Sequence, residues 1–202
     1  MSAIRIIACL ALFTACAEEP ESTGEQVVEE AAPSENALRV DFGLLADASW
    51  FAVNDTVMGG VSQGEVIYES DSMVFEGYVS TDSNGGFASV RSPDDVLDLS
   101  GYDDLYIRMK SEGQPFSLVL SHTDVWYEGS YRYDITGASD EWQTFVFPLE
   151  NFQLYEFNGG YPTATGEWMQ PADRSEIFHL ELMSKLFEDG DFRLEVDYIA
   201  FD

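Results

Sequence analysis

Basic residues are scarce in this 202-residue chain: nine Lys and Arg stand against 38 Asp and Glu, a formal net charge of −29. Nucleic-acid binding by phosphate neutralisation needs clustered Lys and Arg, so that class is excluded, and anionic lipid headgroups would repel the surface. Cysteine is almost absent, and both copies, Cys9 and Cys16, lie at the very start. Everything after Cys16 therefore holds no disulfide, no thiol nucleophile and no Cys-ligated zinc. Two unclustered histidines, His122 and His179, argue against a catalytic zinc site. Long apolar runs are missing as well, because the stretch at 6–13 is too short to span a bilayer. What is present is an ordinary apolar content of 45% with 14% aromatics, enough for one globular domain with a tail.

The first residues read as a targeting segment. Arg5 supplies a positive charge, residues 6–13 an apolar run, and Thr14-Ala15 small residues directly before Cys16. This layout resembles a bacterial lipobox, with Phe13 where Leu is commonest. Residues 1–15 are expected to leave as a signal peptide and Cys16 to be lipidated. Residues 16–37 are rich in Glu, Pro, Ser and Ala, with too few apolar groups to offset ordering entropy. They are expected to form an acidic flexible linker holding the domain off a membrane. Ala17 follows the lipidated cysteine in place of aspartate, which favours the periplasmic face of the outer membrane in a bacterial envelope.

Residues 38–202 follow a period of two. Leu105, Ile107 and Met109 alternate with Tyr106, Arg108 and Lys110, and Phe192, Leu194 and Val196 alternate with Arg193, Glu195 and Asp197. Similar runs fall at 38–42, 65–68, 73–79, 87–91, 116–120, 131–135, 142–147 and 177–183, separated by Gly, Asn, Asp and Pro. About ten short strands without a helical stripe predict an antiparallel sandwich or barrel. The Gly- and Pro-containing stretch 156–175 is expected to form long loops at one end.

Four stretches carry a family resemblance. They are Trp50-Phe-Ala-Val-Asn-Asp-Thr-Val-Met-Gly-Gly-Val-Ser62; Gly77-Tyr-Val-Ser80 with Asn84-Gly-Gly-Phe87, Ser89 and Arg91; Glu141-Trp-Gln143 with Phe147-Pro-Leu149 and Phe152; and Gly190 to Ile199. Together they resemble the complex I intermediate-associated protein 30 family. The resemblance implies an all-β antiparallel jelly-roll β-sandwich, galactose-binding-domain-like. It also implies a role like that of the mitochondrial member, which assists assembly of the respiratory NADH dehydrogenase. An extracytoplasmic lipoprotein departs from that setting, and fold alone does not carry function across.

The residues themselves leave alternatives open. In Asn54-Asp55-Thr56-Val57-Met58-Gly59-Gly60, the glycines permit positive φ and close approach, and Asn54 and Asp55 can bind backbone amides. Either this is a tight corner, or it presents Asn54, Asp55, Met58, Gly59, Gly60 and Ser62 to a ligand. Asn84, Gly85, Gly86 and Phe87 read as a hairpin turn or as the second half of such a site. Gly60-Val-Ser-Gln-Gly64 spells a nucleophile elbow but lacks the helix that must follow one. His122, beside Asp124, Trp126 and Tyr127, suits a sugar contact or a solvated loop. His179 falls in step with a strand, where a hydrogen-bonded sheet residue is the default. The acidic clusters Asp94-Asp95, Asp98, Asp103-Asp104 and Glu188-Asp189 with Asp191 lack EF-hand spacing, although a structural calcium ion is compatible with them.

The combined expectation is a non-catalytic, lipid-anchored binding protein acting on a protein partner, a membrane-associated complex. No cofactor and no nucleic acid are involved. A carbohydrate-binding module is the alternative, with exposed rings such as Trp126 stacking on sugars. An enzyme with carboxylate chemistry stands third.

Overall fold

The computed structural model describes residues 32–44, 49–123, 125, 128–158, 161–184 and 188–202; of Val57, Asn84 and Tyr161 the backbone alone is described. Cys16, the signal and most of the linker lie outside that set, as do Trp126 and Tyr127. Among the described residues there is no α-helix, and no helix is long and apolar enough to cross a membrane.

Thirteen strands among the described residues form two antiparallel sheets. One holds six strands: β1 (Leu38–Asp41), β3 (Gln63–Tyr68), β4 (Met73–Val79), β6 (Asp104–Gly113), β9 (Gln143–Pro148) and β13 (Gly190–Phe201). Its order is β3-β4-β13-β6-β9. The long β13 shares one edge between β4 (Gly190↔Val79 to Val196↔Met73) and β1 (Tyr198↔Asp41 to Phe201↔Leu38). The other sheet has the order β11-β10-β8-β7-β12-β5-β2. Its strands are β2 (Phe51–Asn54), β5 (Ala88–Arg91), β7 (Phe116–Ser121), β8 (Ser130–Asp134), β10 (Gln153–Asn158), β11 (Tyr161–Trp168) and β12 (His179–Ser184).

The period-two pattern explains the layers. Leu118 and Leu120 of β7, Leu180 and Leu182 of β12 and Val90 of β5 face Ile107 of β6, Phe145 and Phe147 of β9 and Leu194 of β13 in one core. Phe75 of β4, Phe116 of β7 and Phe192 of β13 meet at centroid distances of 4.8–6.3 Å, which ties the two sheets together through edge-on and tilted rings. Each fully buried Phe contributes about 2–3 kcal/mol of transfer free energy, so a sandwich of this size needs no disulfide.

One expectation is corrected. The stretch 156–175, read as loops, contains most of the β10–β11 hairpin, with Asn158↔Tyr161 nearest its turn. β11 is the outermost strand of its sheet, where Pro162 is tolerated because the outer edge needs no N–H. The chain also grips the sandwich before residue 38: the Ser34 N–H and hydroxyl donate to the two oxygens of Asp202, both at 2.7 Å.

Candidate functional site

The two Gly-Gly segments do meet, and they close over one carboxylate. Asp55 opens a 3-10 turn (Asp55–Met58) and is only 1% exposed. Its Oδ1 accepts the Ser62 N–H at 3.0 Å. Its Oδ2 accepts the Ser62 hydroxyl at 2.5 Å, the Gly86 N–H at 2.7 Å and the Phe87 N–H at 3.3 Å. Four donors on one carboxylate satisfy a charge that would otherwise be too costly to bury. Ser62 is itself enclosed, accepting the Ser80 N–H at 3.0 Å. Two glycines make room for the latch. A Cβ on Gly60 would run into the Asp55 carboxylate and lie 2.8 Å from the Gly85 Cα, and one on Gly85 would lie 2.5 Å from the Ser80 carbonyl oxygen. Gly59 ends the turn at φ +92°, a conformation that L side chains rarely adopt.

This corner has a second effect: it sets Met58 and Phe87 at the rim of a cavity of about 480 Å³ on the outer face of the seven-stranded sheet. The floor is built on outward side chains of three strands, Arg132 of β8, His179 and Glu181 of β12 and Arg91 of β5, and the register Arg132↔Val119↔Glu181↔Arg91 sets three of them in one row across the sheet. Val53, Met58, Phe87, Val125, Phe157 and Met183 provide the apolar walls.

The charges on this floor are buried, or half-buried in the case of Arg91, and incompletely paired. Arg91 Nη2 lies 3.2 Å from Glu181 Oε2, while Glu181 Oε1 and Arg91 Nε have no hydrogen-bond partner. His179 Nδ1 is 3.5 Å from an Asp94 oxygen without a hydrogen bond. Burial and the Arg91 cation hold its pKa below the ordinary histidine value, against the opposing pull of Glu181 and Asp94. Arg132 is 8% exposed. Burial lowers its pKa, partly offset by Glu181, Tyr155 and Asp134, and a guanidinium starting so high stays charged at neutral pH.

Sequence reasoning placed some of these residues and missed others. Met58 and Phe87 line the cavity; Asp55, Gly60, Ser62, Gly85 and Gly86 build the latch behind them. Asn54 faces elsewhere, donating to the Gly64 carbonyl oxygen at 3.2 Å beside an open, polar depression at β3 and β4. His122 is half-buried against the Tyr131 ring, 5.6 Å between centroids, with its flanking Ser121 and Thr123 in the cavity wall. Asn84 belongs to a second 3-10 turn (Asp82–Asn84), and the segment crosses from β4 in one sheet to β5 in the other, so the hairpin turn expected at Asn84–Phe87 is not formed. Trp126 and Tyr127 lie outside the described residues. Arg132, Glu181 and Met183 were not singled out, and Arg91 was named only as part of the family resemblance, not as a site residue. The available signal was a strand, His179-Leu-Glu-Leu-Met183, whose outward positions are as buried as its inward ones. The acidic clusters are spent on local contacts: Asp98 with Ser100, Asp103 with Arg174, Asp189 with Thr81. Among the described residues no group of three or more His, Cys, Asp or Glu is placed to hold a metal ion.

Comparison with known proteins agrees with this architecture. The family 11 carbohydrate-binding module of a cellulosomal cellulase of Clostridium thermocellum superposes with a TM-score of 0.52 at 18% identity, covering 84% of this chain and 95% of the module. A second structure of a family 11 module from Clostridium thermocellum, in complex with a β-1,3-1,4-mixed-linked tetrasaccharide, gives 0.50 at 18% identity, covering 83% and 96%. At this identity the likeness establishes the β-sandwich and nothing about ligands. No curated protein matches the sequence. A family model does, across both glycine corners and every strand of the cavity floor: over residues 40–196 the match is to complex I intermediate-associated protein 30, and the chain belongs to that family.

Proposed function

We propose that the protein is a non-catalytic binding domain, lipid-anchored through Cys16 in a bacterial envelope, that holds a protein partner in the cavity of the seven-stranded sheet. The family's name supports an assembly-related role toward a membrane complex. The observation that carries the reading is the cavity itself: apolar walls over a floor of incompletely paired charges, a surface more stable when covered. Met58, 56% exposed at the rim, is the kind of flexible thioether anchor that adapts to a partner surface. Affinity capture from detergent extracts should recover a membrane complex of defined composition with the wild-type chain and lose it with Phe87→Asp. Recovery of no complex by the wild type overturns the reading.

The likeness to carbohydrate-binding modules favours one rival, a glycan in the same cavity. Saturable binding on a glycan array, lost in Phe87→Asp, would establish it.

A further inference from the structure

The acidic excess of this chain makes one residue anomalous. Carboxylates outnumber Lys and Arg by 38 to nine, so a cation has abundant choice of partner. Among the described residues, Arg39, Arg91, Arg108, Lys110, Arg174 and Arg193 each reach a carboxylate within ion-pair distance. Arg132 reaches none, although it is one of the two most buried of the set. Its Nε donates to the Ser130 hydroxyl at 3.2 Å and its Nη1 to the Met183 sulfur at 3.8 Å, a weak acceptor. Nη2 has no hydrogen bond to a described residue. The guanidinium lies 5.5 Å from the Tyr155 ring centroid and lines the cavity, and a planar fork of donors with this much capacity unspent suits a bidentate anion.

The surroundings select the anion. Of the charged side chains that line the cavity, Arg132 and Arg91 are opposed by Glu181 alone, with His179 neutral, which leaves one net positive charge; Asp134 acts on Arg132 from outside that lining, at the exposed end of β8. One carboxylate restores balance, and a second would be repelled. The wider surface, at −29, opposes a polyanion at long range, which disfavours an acidic polysaccharide. The walls of Val53, Met58, Phe87, Val125, Phe157 and Met183 call for apolar groups on either side of the charge.

From this geometry we infer that the cavity seats a segment of a partner protein bearing a single Asp or Glu between apolar side chains, its carboxylate paired with Arg132. The inference rests on the protein-binding reading above and names the chemistry of the partner.

Random heptapeptides displayed on phage and selected on the wild-type chain test it. Enriched sequences should carry one acidic residue flanked by apolar ones. In synthetic copies, changing that acid to its amide should weaken binding to the wild type at least about tenfold, and to Arg132→Met less than about twofold. Met58→Asp, which adds a like charge at the rim and leaves Arg132 in place, should also abolish acid binding, so a folding defect in one variant cannot decide the result. Equal binding of acid and amide by the wild type overturns the inference, as does an acid preference that survives in Arg132→Met. Arg132-dependent binding of an oligogalacturonate without any peptide enrichment overturns the choice of occupant. Full capture of a membrane complex by Arg132→Met would sink this inference and leave the protein-binding reading standing, whereas failure of the wild type to capture any complex sinks that reading first.

Discussion

The outer faces of the two sheets use the same residue types to opposite ends. On the six-stranded sheet, Arg39 pairs with Asp41 and covers the Tyr198 ring, Arg108 pairs with Asp197, and Arg193 reaches Glu76. Lys110 lies 2.8 Å from Glu195, which also accepts the Ser72 hydroxyl at 2.8 Å, and the Trp142 ring lies under both Arg108 and Lys110. That face is saturated, and its ion pairs are partly solvated, where each contributes little. On the seven-stranded sheet the charges are deeper and the pairing is incomplete. Arg132 also has a ring beside it, Tyr155 at 5.5 Å, but no carboxylate among the described residues, so chemistry completed on one side is half made on the other. The open side carries the cavity.

The largest expected effect lies in the corner that frames the open face. Asp55→Ala removes the acceptor of three backbone N–H groups and a hydroxyl, and should destabilise the domain by about 3 kcal/mol, read by denaturant unfolding. A loss below about 1 kcal/mol would mean the latch is dispensable. Next, Arg132→Met should raise stability by about 1–2 kcal/mol, because a buried cation with no carboxylate in ion-pair reach among the described residues is replaced by an apolar side chain of similar length. Lys110→Met on the finished face should go the other way, lowering stability by about 1 kcal/mol. The same sign for both substitutions would break the comparison.

The smallest effect is a pH dependence. Because the folded pKa of His179 is lowered, the unfolded chain takes up this proton first on acidification. Its contribution to stability is therefore fully present above the unfolded value of about 6.5 and declines as pH falls through and below it. His179→Gln should flatten the stability profile on the acid side of neutrality. An unchanged slope between wild type and variant would count against a desolvated, neutral His179.

Much of the sandwich was legible because burial on one face writes itself as alternation: β4, β6, β7, β12 and β13 were all readable as strands. β2 and the β10–β11 hairpin were not. β2 is only four residues long and runs straight into the Asp55–Met58 turn, while in β11 exposed Thr, Ala and Glu carry little hydrophobic contrast and Gly and Pro imitate a loop. In the site, the glycine corners stood out because close approach and positive φ select one residue type. Arg132 did not, since what distinguishes it is a missing neighbour, and a missing neighbour across four strands leaves no mark at any sequence spacing.

Ser34 clasping Asp202 has a practical bearing on how the molecule can be handled. Ser34 and Asp202 sit at one spot beside β13, so a reporter fused behind Asp202 would begin next to Ser34, on the sheet that does not carry the cavity. Pulling on the leading segment would peel β1 from β13 pair by pair, starting at Leu38↔Phe201, rather than shearing the sandwich as a block.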